Sequence, residues 1–288
     1  ISMIIEERAA NIGNFMVGRL LPFRQKRAVG PFVFVDHMGP EQLPPGTGLD
    51  VGPHPHIGLS TLTYLFEGSM LHRDTLGSLQ EITPGAVNWM TAGKGVVHSE
   101  RTPDALRSKS KTLHGLQIWV ALPKDKETIV PQFSHFPASA IPSCTISGVA
   151  IKVIAGHFNG LTSPVPVHSP LYFLELKADK LSELNIGNLL FGESGLYILE
   201  GTVESDGETY GERKILVAKQ PELCSFKMAA GTTVYIFGGT PFPEERYINW
   251  NFVSSDKLLI EKAIEDWKNE RFPEIPGETD RVPYPEKL

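Results

Sequence analysis

Short apolar runs separated by glycine and proline turns dominate the chain. Strand-like composition covers Met3 to Glu7, Phe15 to Leu21 and Phe32 to Val35. The last run ends at Asp36-His37, where Gly39-Pro40 and Pro44-Pro45-Gly46 predict a loop, so His37 reads as a structural or loop histidine. Leu59 to Phe66, closed by Glu67-Gly68, is a further strand. Pro84-Gly85 turns the chain before Ala86 to Thr91, and Gly93-Lys94-Gly95 turns it again. His114 to Leu122 is a strand ended by Pro123, and residues 123–148, with Pro131, Pro137 and Pro142, read as a linking loop. Helical spacing occurs late, at Leu259, Ile260, Ala263, Ile264 and Trp267. It predicts a helix over Asp256 to Phe272, capped by Ser255 or Asp256 and followed by Pro273. The tail from Glu274, rich in proline and charge, is expected to be extended over the surface or disordered.

The second half repeats the first. Leu62-Thr63-Tyr64-Leu65-Phe66-Glu67-Gly68-Ser69 matches Gly195-Leu196-Tyr197-Ile198-Leu199-Glu200-Gly201-Thr202, and Met90-Thr91-Ala92-Gly93 matches Met228-Ala229-Ala230-Gly231. The pattern predicts an all-β protein of two duplicated barrels with a C-terminal helix. Residues 1–125 form the first expected domain and 126–288 the second.

Composition narrows the class. At 288 residues with 41% hydrophobic content, the chain is long enough to bury a core. The net charge of −6 and the lack of a basic run argue against direct nucleic-acid binding. Cys144 and Cys224 form no CxxC pair, which favours a reducing compartment. No apolar run reaches the roughly 18 residues needed to span a membrane. The N-terminus lacks a secretory pattern, and Ile1-Ser2 ahead of Met3 reads as a processing or cloning remnant. A cytoplasmic protein is expected.

The chemistry is concentrated between residues 52 and 100. His54 and His56 form an i,i+2 doublet, as do His98 and Glu100. On a strand, residues two apart face the same side. If the two strands are neighbours, three imidazoles and a carboxylate meet, a donor set suited to a first-row transition metal. Pro53 and Pro55 remove backbone donors, so the histidine strand should be irregular or at an edge. Continuing the pleat puts His56, Gly58, Ser60, Leu62 and Tyr64 on the inward face. The repeat offsets carry the four ligands onto Gly187, Leu189, Ile236 and Gly238, none of which can replace them. One metal, in the first barrel, is therefore expected. His114 and Glu67 are candidates for supporting contacts around it.

The runs His54-Pro55-His56-Ile57-Gly58, Trp89-Met90-Thr91-Ala92-Gly93-Lys94-Gly95, His98-Ser99-Glu100 and Gly115-Leu116-Gln117-Ile118-Trp119-Val120 together resemble the pirin family of the cupin superfamily. Trp250-Asn251-Phe252 and the following helix extend the resemblance into the second half. It implies a bicupin whose N-terminal barrel holds iron(II), or another divalent transition metal, on His54, His56, His98 and Glu100. The usual cupin glutamate a few residues after HxH is replaced by Ser60 or Thr61, so Glu100 supplies the carboxylate, as in pirins. Some pirins are quercetin 2,3-dioxygenases, which open a flavonol with O2 and release carbon monoxide. Eukaryotic pirins are nuclear transcriptional co-regulators. The resemblance thus implies a dioxygenase acting on a flavonol or related enol. From the ligand chemistry, Glu100 is expected to act as a catalytic base when its metal bond is loose. Its alternative is an iron-binding redox sensor that works through a protein partner, with a nuclear location if the source is eukaryotic.

Overall fold

Most of these apolar runs become antiparallel strands in a computed structural model, which describes residues 1–12, 15–221 and 224–286. They sort into two compact units. One contains Ile1–Arg8, Arg19–Val35 and Ser139–Phe242; the other contains Ala9–Gly18, Asp36–Ala138 and Pro243–Leu288.

In the first unit, the main sheet runs in the order Met3–Glu6, Lys214–Val217, Glu193–Glu200, Thr232–Gly239, Leu171–Ala178, Val149–Phe158 and Ser143–Ile146. A smaller sheet orders Ser182–Asn185, Ser225–Met228, Val203–Ser205 and Glu208–Tyr210. The core lies between them. Val153, Leu174, Ile198 and Val234 from the main sheet meet Leu184, Val203, Phe226 and Met228 from the smaller one. Burying both inner faces against each other removes the apolar stripe of each sheet from water.

In the second unit, Gln132–Phe136, Val87–Thr91, Leu59–Glu67 and Lys111–Ala121 lie side by side and continue to Phe32–Leu43, Met16–Leu21 and Arg8–Asn11. The boundary between units falls within Phe32–Leu43, within Met16–Leu21 and after the first residue of Arg8–Asn11. A second sheet, ordered Asp50–His56, Val96–Arg101, Met70–Asp74 and Leu79–Ile82, carries the histidine doublets.

Three expectations change. The strand from Phe32 does not stop at Asp36 but runs to Leu43. Gly39 adopts φ +76, and a Cβ there would lie 2.1 Å from the Leu113 carbonyl oxygen. Gly39-Pro40 therefore lets the strand pass a crowded point rather than ending it. His37 is consequently not in a loop. It is buried, with Nε2 2.8 Å from Nε2 of His114. The expected linking loop contains two strands, Gln132–Phe136 and Ser143–Ile146. Pro131, Pro137 and Pro142 flank these strands without entering them, which is where proline is tolerated.

The C-terminal helix spans Lys257–Lys268. Asp256 caps it by accepting from the Leu258 N–H at 2.9 Å, whereas Ser255 Oγ has no partner. Ile260, Ala263 and Trp267 bury the helix face against Ile57, Val97 and Phe252. The tail is extended, and its residues 287 and 288 lie outside the described residues. Val282 donates its N–H to the Pro53 carbonyl at 2.8 Å, and Trp267 Nε1 donates to the Val282 carbonyl at 3.0 Å. Among the described residues no helix is long and apolar enough to cross a membrane.

Candidate metal centre

The two doublets lie on neighbouring strands. Asp50–His56 is the edge strand and pairs antiparallel with Val96–Arg101, with His98 opposite His54 and Val96 opposite His56. The register then slips, so that Glu100 stands opposite Val51. Gly52-Pro53 falls in the resulting bulge, where the missing proline N–H leaves no ladder bond unmade. The chain then turns sharply at Gly58 (φ +68), where a Cβ would lie 1.8 Å from the Val253 carbonyl oxygen. Only glycine fits there.

His54, His56 and His98 offer ligand nitrogens that all lie within 4.8 Å of one another. Their outer nitrogens are engaged. His54 Nδ1 lies 2.8 Å from the Gly52 carbonyl oxygen, and His56 Nδ1 lies 3.1 Å from that of Asn251. A carbonyl only accepts, so each Nδ1 carries the proton and each Nε2 keeps its lone pair. His56 Nε2 and His98 Nε2 are 3.1 Å apart. Burial lowers all three pKa values, to about 4 for His54 and well below the ordinary imidazole range for His56 and His98. The cluster is thus three buried, neutral imidazoles, of which His54 and His56 turn an Nε2 lone pair toward the shared point. That fits a divalent transition metal, which would offset the crowding of unshared pairs.

Glu100 is buried beside this cluster but outside the 4.8 Å group. Burial raises its pKa. Thr63 Oγ1 lies 3.3 Å from Glu100 Oε1 and 2.9 Å from Gln117 Oε1. A hydroxyl has one proton to give. All three groups are satisfied when the Gln117 amide turns its NH2 toward Thr63 and Thr63 donates to Glu100.

Thr63 also corrects the expected facing. The turn at Gly58 resets the pleat, so Thr61 and Thr63 face the site rather than Ser60, Leu62 and Tyr64. Trp119, opposite Thr61, stands edge-on to His56 with ring centroids 5.1 Å apart. Ser60 instead faces Thr91 Oγ1 at 3.1 Å, and Trp89 Nε1 donates to the same oxygen.

His114 and Glu67 are not at the centre. His114 pairs with His37, and Glu67 is exposed. The residues that sequence reading missed are His72 and Asp74. Their strand pairs with Val96–Arg101 on the side away from His54, placing Asp74 opposite His98 and His72 opposite Glu100. Both are buried, and His72 Nδ1 lies 3.4 Å from His98 Nδ1. The available signal was a third i,i+2 doublet lying between the other two.

Comparison with known proteins agrees with this geometry. The pirin family pattern matches residues 14–120, and that of the pirin C-terminal cupin domain matches residues 173–273. A pirin-like protein of Caulobacter vibrioides is 45% identical over 99% of this chain and 100% of its own length. A crystal structure of quercetin 2,3-dioxygenase from Acinetobacter baumannii superposes with a TM-score of 0.88 at 36% identity, covering 99% of this chain and 96% of that one. A bacterial pirin from Escherichia coli, solved in complex with nickel(II), shares the fold with a TM-score of 0.61 at 19% identity, covering 83% of this chain and 99% of that one. The two-barrel architecture, the paired histidine doublets and these matches together establish that the chain belongs to the pirin family.

Proposed function

We propose that this chain is a metal-dependent dioxygenase that opens a flavonol or related enol with O2. The observation that carries the reading is the convergence of three buried, neutral imidazoles on one point, each with its outer nitrogen turned away. The Acinetobacter baumannii relative bears the name quercetin 2,3-dioxygenase, which supports the same substrate class. His54, His56 and His98 would hold the metal, with Glu100 as a fourth ligand. When bound, iron(II) or another divalent transition metal supplies a Lewis acid that acidifies an enol hydroxyl and a redox partner for O2.

The remaining chemistry belongs to the chain. Glu100 is the base. Its pKa, raised by burial, makes its carboxylate a better acceptor for the proton of the flavonol 3-hydroxyl. Thr63 donates to Glu100 Oε1 and keeps the carboxylate aimed. Trp119 walls the site beside His56 with an apolar edge that excludes water and suits an aromatic ring.

The test loads purified protein with iron(II) and follows loss of flavonol absorbance and release of carbon monoxide, under air and under nitrogen. The expected result is O2-dependent turnover that disappears in His56→Ala and in chelated protein. Iron-loaded protein that does neither, or His56→Ala turning over at the wild-type rate, removes the enzyme reading.

A further inference from the structure

The strand Met70–Asp74 alternates buried and partly exposed residues, so Met70, His72 and Asp74 face inward. It lies against the strand carrying His98 and Glu100, on the side opposite the His54 strand. The central ligand strand is therefore flanked by ligands on one side and by a histidine–aspartate pair on the other.

That pair is tightly held. Asp74 Oδ1 accepts two backbone N–H groups, from Leu76 at 2.9 Å and Ser78 at 3.0 Å. Asp74 Oδ2 lies 2.8 Å from His72 Nε2. Phe133 stacks on the His72 ring, with centroids 4.3 Å apart and planes 14° from parallel. The other imidazole nitrogen, Nδ1, faces His98 Nδ1 at 3.4 Å.

Two proton arrangements satisfy this row, and only one of them leaves His98 Nε2 free to ligate a metal. An ionised carboxylate only accepts, so His72 Nε2 carries a proton. In that arrangement His72 Nδ1 is bare and accepts from His98 Nδ1–H. His98 Nε2 is left with its lone pair, pointing at His56 Nε2. His54 and His56 reach the same state by donating to backbone carbonyls. Among the described residues no such carbonyl pairs with His98, and His72 takes its place.

We infer that Asp74 and His72 are positioning residues that set the tautomer of His98, keeping its Nε2 lone pair available to a metal. The inference deepens the metal-centre reading and rests on it for the metal. Partners of this kind fix ring orientation and ligand basicity, and their loss costs about 10–100-fold in metal affinity.

Asp74→Asn tests the idea with almost no change of shape. The two backbone donors hold the amide oxygen at the Oδ1 position, so the NH2 faces His72 Nε2. His72 must then accept there and carry its proton on Nδ1. His98 Nδ1 becomes the acceptor, and its proton moves to Nε2, where it blocks ligation. The experiment records histidine 15N spectra of the metal-free chain and zinc(II) affinity by chelator competition. In wild type, His98 is expected to be protonated at Nδ1. In Asp74→Asn the proton shifts to Nε2 and zinc(II) affinity falls about 10–100-fold, while the amide spectrum stays native. His72→Leu loses affinity to a similar degree. His72→Gln, whose amide oxygen can accept from His98, recovers most of that loss.

An unchanged His98 tautomer with unchanged zinc(II) affinity in Asp74→Asn overturns the inference. So do equal losses in His72→Gln and His72→Leu. A wild-type chain that takes up no zinc(II), or a His56→Ala chain that binds it equally well, overturns the metal-centre reading instead. The His98 tautomer in the metal-free chain still decides the role of Asp74 and His72 in that case.

Discussion

Acidifying the metal-free protein should destabilise the site-bearing unit over a defined window. His54 titrates near 6.5 in an unfolded chain and is held to about 4 in the folded one, chiefly by burial. As pH falls below about 6.5, the unfolded chain takes up a proton that the folded chain refuses until about 4. Stability is therefore full above that window and is lost progressively on the way down. Each factor of ten in proton affinity is worth about 1.4 kcal/mol, so His54 alone accounts for about 3 kcal/mol. His56 and His98 act in the same direction. Glu100 acts in the opposite one, because its raised pKa lets the folded state gain a proton first. The assay is denaturant unfolding of chelated protein followed by tryptophan fluorescence. Trp89, Trp119, Trp250 and Trp267 all belong to the unit that holds the site, so the signal reports that unit. Between neutral pH and about pH 4, wild type should lose about 3 kcal/mol more than His54→Gln. Equal pH dependence in the two proteins would refute the assignment of His54 as a buried neutral imidazole.

Further outcomes are expected from substitutions. Gly58→Ala forces a Cβ into the Val253 carbonyl at a positive φ and should cost about 2–4 kcal/mol by the same fluorescence readout; a cost within about 0.5 kcal/mol would contradict the close approach. Glu278→Ala removes the acceptor for Ser99 Oγ at 2.7 Å and Arg101 Nη2 at 2.6 Å, behind the ligand strand. It should cost about 1–3 kcal/mol, softened because Arg101 keeps Asp280, and a neutral result would make the tail a passive cover. Glu100→Gln keeps the shape and removes a charge, so metal affinity and turnover should fall together; a loss of turnover alone would keep Glu100 as base and remove it as ligand.

Much was legible in the chain because its signals are local. The i,i+2 doublets, the glycine turns and the proline-blocked edge strand follow from the two-residue period of a strand and from the special φ of glycine and proline. The helix was legible from its spacing and its cap. Other features needed the fold. Gly39-Pro40 reads as a break, yet the strand passes through it, because a neighbouring backbone at Leu113 leaves room for glycine alone. Prolines at 131, 137 and 142 suggested a loop because composition cannot distinguish a proline beside a strand from one that excludes it. The facing of Thr63 rather than Tyr64 was set by one turn at Gly58, since a single residue out of phase inverts every side chain after it. His72 and Asp74 gained their place only when strand order put them opposite His98 and Glu100. Periodicity determines which residues share a face of one strand; which strands become neighbours is decided by burial across the whole unit, and that is long-range information a local pattern does not carry.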